Sequence, residues 1–339
     1  MRFKTYILLL ISAASLFCAC HKTHTEEAQL SFGVEVTELK AEAGSIKTDN
    51  AKLKDNPFGV AGLVYADAEG TSAGENVFLT ERVNVGWTGS SWEYSPLRYW
   101  QINKFYRFRA YHPYEGSAIN VQHADGNRLT VEYSVVAGQQ DLLVGFTSLQ
   151  ATADKIKTRV PIVFKHALCG LQFNIAFKDV PDISDDEVDK IKSFYMSGII
   201  PIGTMIYSHE DGNPHEDKIE WHTLSFAWDD SDFFNWESAV GKEFKKINDE
   251  KDNATIIFDQ DGMVFCVPQV CSASPEMPTK VYFTTEAAGD ALHIGTLPKT
   301  NWEAGKIYVY TLLINKSDIE ISLSIKPWTE IESNETIYL

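Results

Sequence analysis

The chain has 339 residues, with 47 acidic against 30 basic side chains and a formal net charge of −17. Such a balance argues against nucleic-acid binding, because affinity for a phosphate backbone comes from a surplus of Lys and Arg. Apolar residues make up 44% and aromatics 12%, which excludes long intrinsic disorder and, at this length, suggests two domains.

Residues 1–19 read as the leader of an exported lipoprotein, and Cys20 as its lipid site. Arg2 and Lys4 give a basic start, and residues 6–17 form an apolar run too short to span a bilayer comfortably. Ala19 is small enough to precede a cleaved cysteine, whereas Phe17 disfavours Cys18. Two or three acyl chains, at about 0.8 kcal/mol per buried methylene, anchor a protein stably. No polybasic run is needed for that, and the sequence contains none. Loss of the leader removes Arg2 and Lys4 and takes the net charge to −19.

Residues 20–29 are polar and read as a tether. Strands follow. Leu30, Phe32, Val34 and Val36 alternate with Ser31, Gly33, Glu35 and Thr37, so residues 30–39 predict a strand with one apolar face. Residues 58–65 are almost continuously apolar and predict a buried strand. Tyr106, Phe108 and Ala110 oppose Arg107, Arg109 and Tyr111, and Leu129, Val131, Tyr133 and Val135 repeat the alternation, which predicts half-buried antiparallel strands. The polar stretch 147–158 reads as an interdomain boundary. Beyond it, residues 160–164, 168–177, 256–258, 263–267, 281–284, 307–314 and 321–325 predict further strands, the last with Ile321, Leu323 and Ile325 inward. Helix is expected in two loops: a capping box at Ser184 and Glu187, and one apolar face from Val240, Phe244 and Ile247 within 236–249.

Motifs for chemistry are few. Gly70, Ser72 and Gly74 match the spacing of a nucleophile elbow, but Glu75 to Leu79 opens a strand where the elbow needs a helix, so a hairpin loop is expected. His209, His215 and His222 lie among Asp and Glu without the spacing of a zinc helix or a calcium loop, and a solvated acidic loop is the better reading. Asp229-Asp230-Ser231-Asp232 and Asp259-Gln260-Asp261-Gly262 read the same way. Cys169 is in phase with Leu171, Phe173 and Ile175 and is expected to be a buried thiol, while Cys266 and Cys271 could pair across four residues. Trp87, Trp92, Trp100, Trp221, Trp228 and Trp236 could stack on sugars or pack the core. No phosphate-binding glycine loop or ordered nucleophile and base pair is present in the sequence.

Several blocks together resemble one family. Tyr99-Trp100 is followed by Tyr106, Phe108, Ala110, Tyr111 and Pro113, then by Gln140-Asp141-Leu142-Leu143-Val144. Phe164-Lys165-His166-Ala167-Leu168 comes next, then Val267-Pro268-Gln269, and finally Trp302-Glu303-Ala304-Gly305-Lys306 with Tyr308 and Tyr310. Their order and spacing are similar to those of the fimbrillin-like lipoproteins that build donor-strand-exchanged pili of Gram-negative anaerobes. Gln101 stands where the family often has proline, and Gly145 where alanine is common.

The resemblance implies an all-β fold of two transthyretin-like antiparallel β-sandwich domains with minor helical loops, here expected over 30–158 and 159–339. It implies an outer-membrane lipoprotein with no cofactor and no enzymatic activity, whose partners are other fimbrial subunits. Exchange would use the first strand, with Leu30, Phe32, Val34 and Val36 as its apolar face, and His166 would be structural. The alternative is a lipoprotein that binds a surface glycan or host ligand and does not polymerise. Family shaft subunits are cut after an arginine beyond the first strand; here only Lys40, Lys47, Lys52 and Lys54 are basic between Leu30 and Phe58, which speaks against that maturation and against a shaft role.

Overall fold

The computed structural model describes residues 28–36, 52–67, 70–178, 184, 187–210, 213–223, 234–247, 254–258, 262–272, 275–276, 278–287, 292–315 and 318–328. Cys20, Lys40, Lys47, Trp228 and the acidic stretch 229–232 lie outside these residues. The first strands are β1 (Phe32–Val36), β2 (Phe58–Tyr65), β3 (Glu75–Asn76), β4 (Val83–Trp87), β5 (Trp92–Glu93) and β6 (Phe105–His112). Then come β7 (Ile119–Ala124), β8 (Arg128–Ser134), β9 (Leu143–Gln150), β10 (Val160–His166), β11 (Cys169–Phe177) and β12 (Val188–Ser197). β13 (Ile202–Glu210) and β14 (Asn213–Thr223) form a hairpin, followed by β15 (Phe234–Asn235), β16 (Glu243–Lys245), β17 (Thr255–Ile256) and β18 (Met263–Cys266). The last six are β19 (Gln269–Cys271), β20 (Lys280–Thr285), β21 (Leu292–Thr296), β22 (Thr300–Trp302), β23 (Lys306–Ile314) and β24 (Ile319–Pro327).

The fold is all-β, as the two-residue periodicity predicts; among the described residues the only helical turns are three short 3-10 turns. Neither expected helix forms. Only half of the expected cap forms: Ser184 N–H donates to Glu187 Oε2 (3.3 Å), while Glu187 N–H donates to the Ser184 backbone carbonyl (3.0 Å) instead of the hydroxyl, and the chain enters β12 at once. In 236–247 a single 3-10 turn ends at Gly241, whose φ of +82° lies in the left-handed region, and Phe244 is buried from β16. The helical spacing of Val240, Phe244 and Ile247 marks no common face: Phe244 is buried in a core, whereas Val240 is 50% exposed.

One sheet runs β1-β10-β9-β6-β2-β4-β5, with β3 added to β2. Its two central strands, β2 and β6, are buried along their whole length. Phe58, Val60, Tyr106 and Phe108 face one core; Ala61 and Tyr111 face a second, covered by the sheet β14-β13-β8-β7. The expectation of a half-buried β6 is therefore corrected: Arg107 and Arg109 are buried because that second sheet lies over their face. Gly59 and Gly62 make close strand packing possible, since a Cβ at Gly59 would lie 2.2 Å from the Tyr111 ring and one at Gly62 2.7 Å from the Phe108 ring.

A third core, built on Phe173, Phe194, Phe258, Phe283 and Tyr310, lies between the sheets β17-β11-β23-β24 and β15-β12-β20-β21. The boundary expected at 158/159 does not separate the sheets. β10 pairs with β9 and β1, and β13 pairs with β8, so strands from beyond residue 158 complete sheets begun before it. The polar stretch that suggested a linker is the end of β9 and one 3-10 turn at Lys155–Lys157.

Candidate functional site: the first strand and its groove

β1 lies at one end of its sheet, and the neighbour it pairs with is β10. The pairing is parallel, from Phe32 opposite Val160 to Val36 opposite Phe164. Period-2 patterning predicts such a strand but carries no information about its partner, which comes from far along the chain. Just before β1, the chain is held from the other side as well. Gln29 bridges Tyr99 in antiparallel fashion, Leu30 N–H donates to the Arg98 carbonyl (2.8 Å), and Trp100 N–H donates to the Ala28 carbonyl (3.0 Å). The Tyr94 hydroxyl donates to the Leu30 carbonyl (2.9 Å), and Val160 N–H donates to the Ser31 carbonyl (2.7 Å). Residues 94–100 thus form a strap across the entry of the strand. Their Tyr-Trp pair was visible in the sequence, but its role in holding residues 28–30 was not.

The side chains show why β1 stays in place. Leu30 and Phe32 are 0% and 1% exposed, and Val34 packs partly buried against the same core. The Phe32 ring lies 5.7 Å from those of Tyr94 and Phe108 and 6.4 Å from that of Phe58, in edge-to-face or tilted contacts. Burying Leu30 and Phe32 stabilises the fold by about 1.5–3 kcal/mol each. Of Val36, the fourth expected contact residue, the backbone register opposite Phe164 is defined.

Behind β10 lies a set of charged groups that sequence reading did not bring together. Lys165 Nζ and Asp217 Oδ2 are 2.6 Å apart, joining β10 to β14, and the Tyr207 hydroxyl donates to the same carboxylate. Burial alone would raise the Asp217 pKa, but Lys165 and Tyr207 outweigh it and hold the carboxyl below its ordinary value. The Arg109 guanidinium lies over the Phe146 and Tyr207 rings, 4.7 and 4.4 Å from their centroids, and Nη2 donates to His209 Nδ1 at 3.2 Å. An arginine only donates, so His209 accepts there as the Nε2–H tautomer. Burial pushes the Arg109 pKa down to about 10, which leaves it charged at neutral pH.

The other sequence candidates are dispersed. His209 faces Arg109, while His222 is exposed on β14 opposite Thr204; the side chain of His215 is outside the description. Among the described residues no group of three His, Cys, Asp or Glu side chains is placed to hold a metal ion. Ser72 lies in a loop closed on Asp67, whose carboxylate accepts from the Thr71 and Ser72 N–H groups at 2.7 and 2.6 Å, and the chain continues into β3. The Ser72 hydroxyl and these amides hold the Asp67 carboxyl well below its ordinary pKa. Cys169, Cys266 and Cys271 are buried free thiols, so the 266–271 pair is not bonded. Trp92, Trp100 and Trp236 are core residues, and Trp221 donates from Nε1 to the Ala167 carbonyl (2.8 Å). His166 is buried, with Nδ1 2.9 Å from Asp141 and its ring stacked 4.1 Å from Trp328.

A sequence profile described as fimbrillin-like matches residues 47–328, from the segment after β1 to the end of β24. The chain belongs to the fimbrillin-like family. It is 24% identical to fimbrium subunit Fim1C of Phocaeicola vulgatus over 373 aligned positions, covering 95% of this chain and 96% of that protein. A fimbrial protein from Bacteroides vulgatus has the same fold at a TM-score of 0.57 and 18% identity, covering 88% of this chain and 99% of its own. A Bacteroides uniformis protein provisionally assigned to cell adhesion gives a TM-score of 0.52 at 18% identity, with coverage of 89% and 98%. The all-β architecture read from the sequence is thus shared with fimbrial proteins.

Proposed function

We propose that this fimbrillin-like protein is a non-enzymatic, lipid-anchored fimbrial subunit that assembles by exchange of β1, with the lipid on Cys20 and the outer membrane as its place of anchorage. One observation carries the reading: β1 and the residues just before it close the end of a sheet and fill a core with Leu30 and Phe32, and among the described strands β1 pairs with β10 alone, residues 28–30 being held by the strap at 94–100. A withdrawn β1 would leave an apolar groove and the free edge of β10. A strand from another subunit with apolar residues at every second position would satisfy both. The vacated groove is unfavourable, while replacement of one strand by another is nearly balanced, so exchange favours a direct hand-over. The two-sandwich description, with a transthyretin-like arrangement in each half, belongs to this reading.

Limited proteolysis of the lipidated protein, followed by electrophoresis in mild detergent, tests it. Cleavage between β1 and β2 is expected to give ladders of multimers, and persistent monomers after such cleavage would refute strand exchange. The anchor is tested separately: Cys20→Ala is expected to lose membrane association, and full retention would reject Cys20 as the lipid site. The burial of Trp92, Trp100 and Trp236 favours assembly over the glycan-binding alternative, because these rings serve the core.

A further inference from the structure

The strap that holds residues 28–30 has an outer face. Leu97, Tyr99 and Ile102 are 44%, 47% and 48% exposed. Next to them lies a second segment, since Asn103 N–H donates to the Ala151 carbonyl (2.8 Å) and Ala151 N–H to that of Lys104 (2.9 Å). Residues 94–104 and 151–160 together carry Arg98, Lys104, Lys155, Lys157 and Arg159 against Asp154 alone, in a chain whose net charge is −17. Arg159 joins the two segments: it borders one recess with Gln29, Leu97 and the marginal Glu93, and another with Trp100 and Lys155. The sequence contains no polybasic run, but the fold assembles a basic and apolar face from two separate segments.

That face is also where the chain leaves for its N-terminal end. Gln29 bridges Tyr99, and Cys20 is nine residues earlier, so at about 3.3–3.6 Å per residue the lipid site is within ~30 Å of the face. At physiological salt charges are screened beyond about 8 Å, so a surface in contact with the face meets the local cations rather than the acidic whole. Exposed Leu, Ile and Tyr beside Lys and Arg suit the headgroup boundary of a bilayer. We propose that residues 94–104 and 151–160 dock on the anionic, phosphate-bearing surface of the membrane that holds the lipid. This rests on the lipid-anchored reading above. Docking would hold the entry of β1 against the membrane until the subunit is released for assembly.

The test uses the lipidated protein reconstituted in phosphatidylethanolamine and phosphatidylglycerol vesicles. A polarity-sensitive fluorophore is placed at Leu97→Cys, and for reference at Ile294→Cys, an exposed site on β21. The buried thiols of Cys169, Cys266 and Cys271 leave the new cysteine as the reactive one. The label at 97 is expected to be quenched by a bilayer-embedded nitroxide several-fold more than the label at 294. The difference is expected to shrink in phosphatidylcholine vesicles and with Lys155→Glu combined with Lys157→Glu. Equal quenching at both sites overturns the docking face while leaving the anchor intact. Protection at 97 that rises with protein concentration and persists in neutral vesicles assigns the face to a second copy, and also overturns it. Failure of the anchor itself is read from Cys20→Ala, whatever the label reports.

Discussion

β1 and β24 both end sheets, but they are held by different means. β1 has five residues paired in parallel with β10 and places Phe32 wholly inside a core, as Leu30 just before it is. β24 has nine residues in antiparallel register with β23, its neighbour in sequence, and its apolar side chains Ile319, Ile321 and Leu323 are only partly buried, with Ile325 51% exposed. The hold on β1 combines a five-residue ladder, the strap on residues 28–30 and the side-chain pocket around Phe32, and under the proposed exchange another strand of the same pattern would take the ladder and the pocket. The hold on β24 comes largely from a continuous backbone ladder to an adjacent strand, which no other chain can replace without opening the hairpin. The contrast is the one that the proposed exchange of β1, and not of β24, requires.

Substitutions in the two strands should break that contrast if it is wrong. Phe32→Ala removes a ring in contact with Phe58, Tyr94 and Phe108 and is expected to cost about 3–5 kcal/mol, measured by urea denaturation of the purified protein. A loss below about 1 kcal/mol would mean that β1 is not part of the cooperative core.

Acid offers a second comparison. His112 ends β6 in the sheet that β1 closes, and burial pushes its pKa down to about 4, partly opposed by Asp141 and the Asn56 backbone. The unfolded chain therefore takes up a proton on this histidine near its ordinary pKa of about 6.5 while the folded protein does not. Stability falls as the pH drops from about 6.5 to 4, by up to about 3 kcal/mol, and this contribution levels off below 4, where both states are protonated. His293, on β21 in the other half, is half-buried and lowered by burial in the same direction. His112→Gln is expected to flatten the urea midpoint between pH 7 and 4.5 much more than His293→Gln does. Equal slopes for the two variants would show that the burial of His112 does not govern the acid response.

Most strands were legible in the sequence because a half-buried or buried strand leaves a local record, in the alternation of Leu129, Val131 and Tyr133 or the apolar run of β2. The family was legible for a related reason: its blocks fall on buried aromatics such as Tyr106, Phe108 and Trp302, which the fold needs in fixed places. What stayed hidden was non-local. Arg107 and Arg109 look like a solvent face until Asn127, between β7 and β8, and Tyr207 and His209 of β13 close over them. The parallel partner of β1, the strap at 94–100 and the basic face all depend on which distant segments meet. The false helix at 236–249 shows the opposite error, in which a local period arises from two elements joined at Gly241.

Within β24 the expected effects are smaller. Ile321 is partly buried against the third core, so Ile321→Ala is expected to cost about 1–2 kcal/mol, below the range for fully buried residues. A loss equal to that of Phe32→Ala would show that the two terminal strands contribute equally to their cores.

The smallest effect expected is at the outer edge of β24. Lys178 Nζ lies 3.4 Å from Glu320 Oε2, tying the end of β11 to β24 across the intervening β23, but the two side chains are 27% and 53% exposed. Water and salt screen such a pair, and ordering two long side chains offsets much of the attraction, so a double-mutant cycle with Glu320→Ala and Lys178→Ala is expected to give a coupling below about 0.5 kcal/mol. Raising the salt should reduce it further. If the cycle instead returned a coupling comparable to the loss from Ile321→Ala, β24 would be held by side-chain contacts as well as by its ladder. The distinction from β1 would then rest on strand direction and chain connectivity alone, a weaker basis for assigning exchange to β1.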